Sequence, residues 1–187
     1  MHPFRQFIET YVPLPEADWA RIEVCIDRHE VAKSTLILSE GTVCRHLYFL
    51  ESGLLRFFIL KDGEEVTKYF TDVPYVFTSQ KSFTTQQPAK ESIDTLEASV
   101  LWRMTYTDAF ALLSLESWST FIRLLIQEVQ QYTEEILEAL QTETAENRYR
   151  NLLSSQPALV RRVPLKHLAS YLGIAQQSLS RIRRKIW

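Results

Sequence analysis

Short apolar runs separated by glycine-containing turns constrain the first half of this chain more than any other feature. Between positions 35 and 70 the runs read TLIL, HLYFL, LLRFFIL and EVTKYF, and the triplets SEG, ESG and KDG separate them. Glycine adopts the backbone angles of tight turns at low steric cost, and short strands alternate with such turns in small antiparallel sheets. The pattern predicts an antiparallel roll or sandwich, with a hairpin turning at Asp62-Gly63 and a closing strand over Ser99–Met104.

Helical patterns flank this region on both sides. Residues 4–30 carry apolar side chains at helical spacings, interrupted by two prolines, and they predict helices before the roll. After the roll, Ser117–Thr142 contains neither glycine nor proline and predicts one long helix. Its apolar positions recur at alternating steps of four and three residues, which is the spacing of a coiled-coil seam. The seam residues are Trp118, Ile122, Leu125, Val129, Tyr132, Ile136 and Ala139.

Two interpretations of this seam remain open. The seam of one helix can pack against the same seam in a second copy, or the helix can pack on the roll of its own chain. Since Phe121, Leu124 and Leu137 lie off the seam, one face can meet the roll while another meets a partner subunit. The predicted contacts of a homodimer are Trp118, Ile122, Leu125, Val129, Tyr132 and Ile136.

Charge is distributed unevenly along the chain. Residues 1–142 contain 12 Lys and Arg against 21 Asp and Glu, a net charge of −9, whereas residues 143–187 contain 9 against 2, a net charge of +7. No acidic residue follows Glu146. A small basic segment attached to an acidic body is typical of a nucleic-acid-binding end. The alternative is a solvated basic tail, but the regular spacing of Leu and Ile in this segment favours a folded module.

The basic segment ends in a pair of short predicted helices. Residues 163–186 read VPLKHLASYLGIAQQSLSRIRRKI, in which Pro164 suits the start of the first helix and Gly173 allows a sharp turn. In the second helix the apolar residues point inward, so its polar residues share the opposite face. Such a helix fits the major groove of DNA, where Arg pairs with guanine and Gln with adenine. The expected base contacts are Gln176, Gln177 and Arg181, and the expected phosphate contacts are Lys166 and Arg184.

The chain resembles the cyclic-AMP receptor protein/FNR (Crp/Fnr) family of bacterial transcriptional regulators over almost its full length. The family's β-roll resembles ILSEGTVCRHLYFLESGLLRFFILKDGEEVTKYF, and its DNA-binding domain resembles TAENRYRNLL followed by residues 163–186. The resemblance implies an α+β fold in three parts: a roll over 1–116, a dimerisation helix over 117–142 and a helix-turn-helix over 143–187. It also places the family's DNA-contacting positions on Gln176, Gln177, Ser178 and Arg181.

One departure from the family predicts a loss of ligand binding. Members that bind cyclic nucleotides hold the phosphate with a Gly-Glu turn and with an Arg-Ser or Arg-Thr pair. Aligned by the flanking strands, these positions fall near Phe77-Thr78 and Glu91-Ser92, which form a degenerate effector pocket. Because an acid stands where the phosphate-pairing Arg belongs, we expect no cyclic nucleotide binding. A second departure is Ala175, where a capping Ser or Thr is expected before the recognition helix.

The sequence predicts no catalytic residue, no metal site and no cofactor. The histidines are scattered without metal-ligand spacing, and Cys25 and Cys44 are expected to be free thiols. The first residues lack a signal-peptide pattern and no apolar run is long enough to cross a bilayer, so we expect a cytoplasmic protein.

The expected partners are double-stranded DNA and a second copy of the chain, with RNA polymerase considered as a further one. Two alternatives remain. A regulator of the same build can bind another small effector in its roll, or the roll can act as a protein-interaction module without DNA binding.

Overall fold

The structure is a computed structural model that describes residues 1–72 and 74–186. The N-terminal part contains α1 (Pro3–Glu9), α2 (Glu16–Glu23), β1 (Ile26–Val31), β2 (Leu36–Leu38), β3 (His46–Ser52), β4 (Leu55–Lys61), β5 (Glu64–Thr71), β6 (Tyr75–Phe77), α3 (Gln80–Thr85), β7 (Ser92–Thr95) and β8 (Ser99–Thr105). The C-terminal part contains α4 (Tyr106–Ala111), a 3₁₀ turn (Leu112–Ser114), α5 (Glu116–Thr142), α6 (Ala145–Ser155), α7 (Pro157–Arg162), α8 (Leu165–Tyr171) and α9 (Gln176–Ile186).

The strands form two four-stranded antiparallel sheets that pack face to face. Their strand orders are β1-β8-β3-β6 and β2-β7-β4-β5. Because successive side chains in a strand point to opposite faces, Tyr48 of β3 stacks on Phe77 between the sheets while Phe49 stacks on Phe4 of α1. Phe77 in turn meets Phe57 of the other sheet edge to face. The predicted α+β fold, with an antiparallel roll flanked by helices, is confirmed.

The hairpin predicted at Asp62-Gly63 is present between β4 and β5. Lys61 pairs with Glu64 across a two-residue loop, and Asp62 and Gly63 both have positive φ, 53° and 82°. Two consecutive residues with positive φ define the turn that matches the right-handed twist of a hairpin.

The helical prediction for residues 4–30 is correct for α1 and α2 but wrong from Ile26 onward. Residues 26–31 form β1, which pairs with β8 from Ile26 opposite Met104 to Val31 opposite Ser99. The spacing from Ile22 to Ile26 fits a helix, but pairing with β8 decides the conformation, since strand preference depends strongly on tertiary context.

The long helix predicted over Ser117–Thr142 is present as α5, and its two halves have different surroundings. In the first half Trp118 and Phe121 are completely buried on the roll of the same chain, and the Trp118 indole N–H donates to the Ala109 carbonyl. In the second half Leu137 and Leu140 are 54% and 52% exposed. Trp118 therefore has no exposed surface for the partner contact predicted for it.

Gly53 provides a test of this fold because a side chain at this position would collide with β8. Its φ is +120°, and an added Cβ would lie 2.0 Å from Ser99 Oγ and 2.8 Å from Ser99 Cα. We expect Gly53→Ala to lower the free energy of unfolding by about 1–3 kcal/mol, measured by urea denaturation. The control is Gly41→Ala, where φ is +85° but no atom lies within 4 Å of the added Cβ. An equal loss in both variants would contradict the close approach of the two segments.

Candidate nucleic-acid interface

The turn between α8 and α9 is built from backbone hydrogen bonds at the end of α8. The Ile174 N–H donates to the Ala169 carbonyl at 3.1 Å, and the Gly173 N–H donates to the Ser170 carbonyl at 3.0 Å. Gly173 has a φ of +70°. These features form a Schellman motif, in which a left-handed residue, usually glycine, ends the helix. The chain is thereby redirected sharply, as the sequence predicts for Gly173.

One side of α9 packs into a hydrophobic core formed mainly by the C-terminal helices. Leu179 is completely buried there, and Ile182 and Ile186 pack against the same core. With 3.6 residues per turn, Gln177, Arg181 and Arg184 lie on the opposite side, and all three are exposed.

The remaining predicted DNA contacts differ in how freely they face solvent. Gln176 at the start of α9 and Lys166 on α8 are exposed, whereas Ser178 is half-buried beside the core-facing side of α9. The Ala175 carbonyl accepts from the N–H groups of Ser178 and Leu179, but its methyl side chain provides no capping acceptor.

The cations of this surface have no ion-pair partners within the part of the chain that the structure describes. No carboxylate lies within 4.0 Å of the charged groups of Lys166, Arg181 or Arg184, while Glu146 pairs with Arg150 on α6. The surface therefore presents uncompensated positive charge, which suits a polyanion.

The helix-turn-helix packs directly on the roll. Leu54 and Leu96 of the roll belong to the same buried cluster as Leu168 and Leu172 of the helix-turn-helix. Leu54 and Leu168 are both completely buried. The position of α9 relative to the roll is therefore determined by packing as well as by chain connectivity.

A buried guanidinium forms the polar part of this contact. Arg56 of β4 is 3% exposed, and it binds Asp94 through two hydrogen bonds of 3.0 and 2.6 Å and Glu65 at 2.7 Å. The same Arg56 Nη1 lies 2.8 Å from Nδ1 of His167 on α8. Since arginine only donates, His167 Nδ1 must accept, so the imidazole is neutral with its proton on Nε2.

Ser170 adds a second polar contact one turn further along α8. Its Oγ accepts from the backbone N–H of Thr67 at 2.9 Å and donates to the Glu65 carbonyl at 3.2 Å. We call Arg56, Glu65 and Asp94 of the roll, together with His167 and Ser170 of α8, the α8 junction.

Further contacts join the C-terminal helices to the rest of the chain. The ring of Tyr171 lies 5.5 Å from that of Phe70 in β5. On α5, Tyr132 is 42% exposed, and partial burial together with the nearby Tyr171 raises its pKa. On α7, Arg162 donates to Glu97 at 2.7 and 3.0 Å and to the Gly53 carbonyl at 2.7 Å.

The α8 junction was not predictable from the sequence. Arg56 and His167 are 111 positions apart, and each lies in a segment whose pattern is explained by its own strand or helix. The only available signal was Arg56 itself, a charged residue within the apolar run LLRFFIL. A charge in such a run requires a partner when it is buried, but the sequence does not identify that partner.

The four residues of the predicted effector pocket lie at the ends of two strands, β6 and β7, which belong to different sheets, and they have separate partners. Phe77 is buried on Tyr48, and the Thr78 hydroxyl donates to the His46 carbonyl at 3.0 Å. The Glu91 carboxylate, 9% exposed, pairs with Lys68. The Ser92 hydroxyl accepts from the backbone N–H of Glu40 at 3.0 Å. The expected phosphate-pairing position thus carries a negative charge that is already paired.

The described residues contain neither a cluster of metal ligands nor a single helix that could span a membrane. In residues 1–72 and 74–186, no group of three or more His, Cys, Asp or Glu side chains is arranged to hold a metal ion. Within the same residues no single helix is long and apolar enough to span a membrane. The bent pair Tyr106–Ser114 and Glu116–Thr142 meets that criterion only when its two helices are combined.

Comparisons with known proteins agree with this architecture. The family model of the cyclic nucleotide-binding domain matches residues 28–115. A comparison with curated protein sequences finds no match.

Among solved structures, similarity extends over most of the chain. The Thermus thermophilus catabolite activator protein is 20% identical with a TM-score of 0.59, and the match covers 94% of this chain and 85% of that one. A putative Crp/Fnr-family transcriptional regulator from Eubacterium rectale is 18% identical with a TM-score of 0.74, covering 94% and 87%. DNR from Pseudomonas aeruginosa is 17% identical with a TM-score of 0.57, covering 100% and 88%. The resemblance to Crp/Fnr regulators predicted from the sequence is therefore confirmed in the fold.

Proposed function

We propose that this protein, which has the fold of the Crp/Fnr regulators, is a homodimeric transcriptional regulator that binds double-stranded DNA and does not respond to cyclic nucleotides. The observation that carries the proposal is the exposed outer face of α9, whose arginines lack ion-pair partners among the described residues. We propose action in the cytoplasm, with RNA polymerase as a further partner, and no enzymatic activity.

The proposed DNA contacts divide by position on the two helices. Gln177 and Arg181 lie at the centre of the outer face of α9, where a helix in the major groove meets base edges. Lys166 and Arg184 supply charge for the phosphates, which adds affinity without sequence information. In a dimer, two such helices read half-sites about 10 bp apart, centre to centre, which gives a near-palindromic operator.

Substitution of single arginines separates base contact from phosphate contact. On a site recovered by genomic footprinting, Arg181→Ala should weaken binding by about 1–3 kcal/mol and relax the preference at one base pair in each half-site. Arg184→Ala should weaken operator and scrambled DNA alike and reduce the salt dependence, since one phosphate fewer is neutralised per subunit. The measurement is a gel-shift titration of both DNAs over a salt series.

The control for these variants is Arg123→Ala, which removes an exposed arginine from α5 far along the chain from α9. Its binding should equal that of the wild type. Equal wild-type affinity for operator and scrambled DNA would contradict sequence-specific recognition through α9.

The proposed dimer interface follows an apolar stripe of α5 that shares Ile122, Val129 and Ile136 with the seam predicted from the sequence. Leu125 is buried in the core of its own chain and therefore faces the same subunit, whereas Tyr132 is 42% exposed and stays a candidate for the partner contact. The apolar residues of this stripe recur at coiled-coil spacing. These residues are Ile122, Ile126, Val129, Ile136 and Leu140.

Exposure of this stripe supports a second copy as its partner. Ile126 is 46% exposed and Leu140 is 52% exposed, although both lie in a regular helix of 27 residues. Burial of an exposed apolar stripe against the same stripe of a second copy is favourable. Such self-complementary contacts are usual in symmetric dimers.

Charges placed in the stripe should prevent dimerisation. The double variant Val129→Glu, Ile136→Glu should sediment as a monomer at micromolar concentration, because pairing would bury like charges against each other. The control variant Gln127→Glu, Gln131→Glu adds the same charge on the opposite, exposed side of α5 and should remain dimeric. A wild-type protein that is monomeric at the same concentration would contradict the proposed dimer.

Cyclic AMP and cyclic GMP should not bind at micromolar concentration. The paired Glu91 carboxylate repels a phosphate, and the sequence between Tyr69 and Trp102 contains no arginine to replace the missing contact. Isothermal titration calorimetry with each nucleotide is the measurement. A titration with the operator duplex shows that the same sample is active in DNA binding. Saturable micromolar binding of either nucleotide would contradict this part of the proposal.

A further inference from the structure

The α8 junction brings a histidine of the helix-turn-helix against a buried cation of the roll. His167 Nδ1 lies 2.8 Å from Arg56 Nη1, and this contact requires a neutral imidazole. If His167 is protonated, both of its ring nitrogens donate, and an N–H would point at an N–H of a second cation. The contact is therefore attractive in one protonation state of His167 and repulsive in the other.

We propose that the α8 junction is a proton-sensitive latch, which holds the helix-turn-helix on the roll at neutral pH and releases α8 in acid. The consequence for DNA binding rests on the function proposed above, whereas the latch itself depends only on contacts within one chain.

The charged groups around His167 determine which way its titration acts. Burial and the Arg56 guanidinium lower the pKa of His167, and Lys166 acts in the same direction, whereas Asp94 and Glu65 oppose the shift. Both carboxylates are already engaged by Arg56, and that hydrogen bond lowers the pKa of Glu65. Glu65 therefore stays ionised in mild acid, and His167 is the junction residue that changes charge there.

Whether acid strengthens or weakens docking follows from the pKa of His167 in the docked and released states of α8. In the released state the pKa of His167 returns to about 6.5, and in the docked state it is lower. Protons therefore bind preferentially to the released state, so docking is intact well above pH 6.5 and weakens as the pH falls below it. At about pH 5.5 the docking equilibrium shifts toward release by up to about tenfold.

Release of α8 leaves other attachments in place. The pKa of Glu97 is lowered by its hydrogen bonds with Arg162, so the ion pair between α7 and the roll does not respond in the same pH range. The helix-turn-helix also keeps its internal contacts, in which Tyr149 and Leu179 are completely buried. Acid therefore shifts the α8 side toward opening, against the packing of Leu168 in the shared core, while the α7 side stays attached. In the opened molecules the direction of α9 is no longer fixed.

A recognition helix that is fixed in direction binds DNA more tightly than a loosely attached one. The apparent affinity is reduced by the fraction of molecules in which the helix is correctly placed. The outer face of α9 takes no part in the α8 junction, so the docked state leaves Gln177, Arg181 and Arg184 free for DNA. DNA affinity should therefore fall in acid together with docking.

The backbone N–H of Thr67 reports docking directly, because it donates to Ser170 Oγ of α8. Amide hydrogen exchange, followed by NMR and corrected for the intrinsic rate, measures its protection at about pH 7.5 and about pH 5.5. In the wild type, protection of Thr67 should fall by up to about tenfold in acid relative to amides of β3 and β8. In His167→Gln, whose amide oxygen accepts at both pH values, protection should not change with pH.

Two more variants complete the exchange experiment. His167→Ala removes the acceptor and should lower Thr67 protection already at neutral pH. The control Ser154→Ala, at an exposed position of α6, should behave like the wild type. The latch would be overturned if Thr67 protection in the wild type did not change with pH, or if His167→Gln lost the same protection in acid.

DNA titrations at the same pH values connect the latch to function. Wild-type affinity should fall in acid by up to about fivefold more than that of His167→Gln, because the docked form is the majority at neutral pH, and His167→Ala should bind more weakly than Ser154→Ala at neutral pH. Unchanged affinity of His167→Ala would overturn the link between docking and DNA binding. If the wild type binds no DNA, the proposed function fails, and the exchange experiment still decides the latch.

Discussion

The guanidinium of Arg56 connects more of this molecule than any other group. It joins β4 to β7 through Asp94 and to β5 through Glu65, and it reaches α8 through His167. Its charge also lies 4.1 Å from the centre of the Phe58 ring. A buried charge is tolerated only when its hydrogen bonds are satisfied. Arg56 therefore requires partners from both the sheet and the helix-turn-helix. The roll therefore determines where the C-terminal helices lie.

The two halves of the long helix α5 lie in different surroundings. Its first half is part of the core of the roll, where Trp118 meets Phe121 and Phe4. Its second half leaves the roll and exposes aliphatic side chains such as Leu137 and Leu140. A single helix can do both because its side chains point in all directions around the axis.

Features determined by neighbouring residues in the chain were predictable from the sequence, and those determined by distant partners were not. The hairpin at Asp62-Gly63 and the turn at Gly173 depend on local backbone angles, and both were predicted correctly. β1 was missed because its conformation depends on pairing with β8, more than sixty residues later. The α8 junction was missed for the same reason, since the partners of Arg56 are distributed over β5, β7 and α8.

The α5 seam shows why periodicity alone does not identify which apolar residues of a helix face the roll. The steps from Ile122 to Val129 and Ile136 fit a coiled coil whether the intermediate position is Leu125 or Ile126. Only the roll distinguishes them, because Leu125 is 6% exposed and Ile126 is 46% exposed. Tyr132, which also fits the predicted seam, is 42% exposed and stays a candidate for the partner contact.

The dimer proposed through the exposed stripe of α5 would also have a consequence for the amount of protein that a cell must make. A helix that needs an identical partner makes assembly a second-order process, so at low abundance the fraction of paired chains rises in proportion to total concentration. Occupancy of a two-fold site then rises with the square of that concentration. A modest change in synthesis or degradation of the chain would thus produce a larger change at its target, without any small molecule.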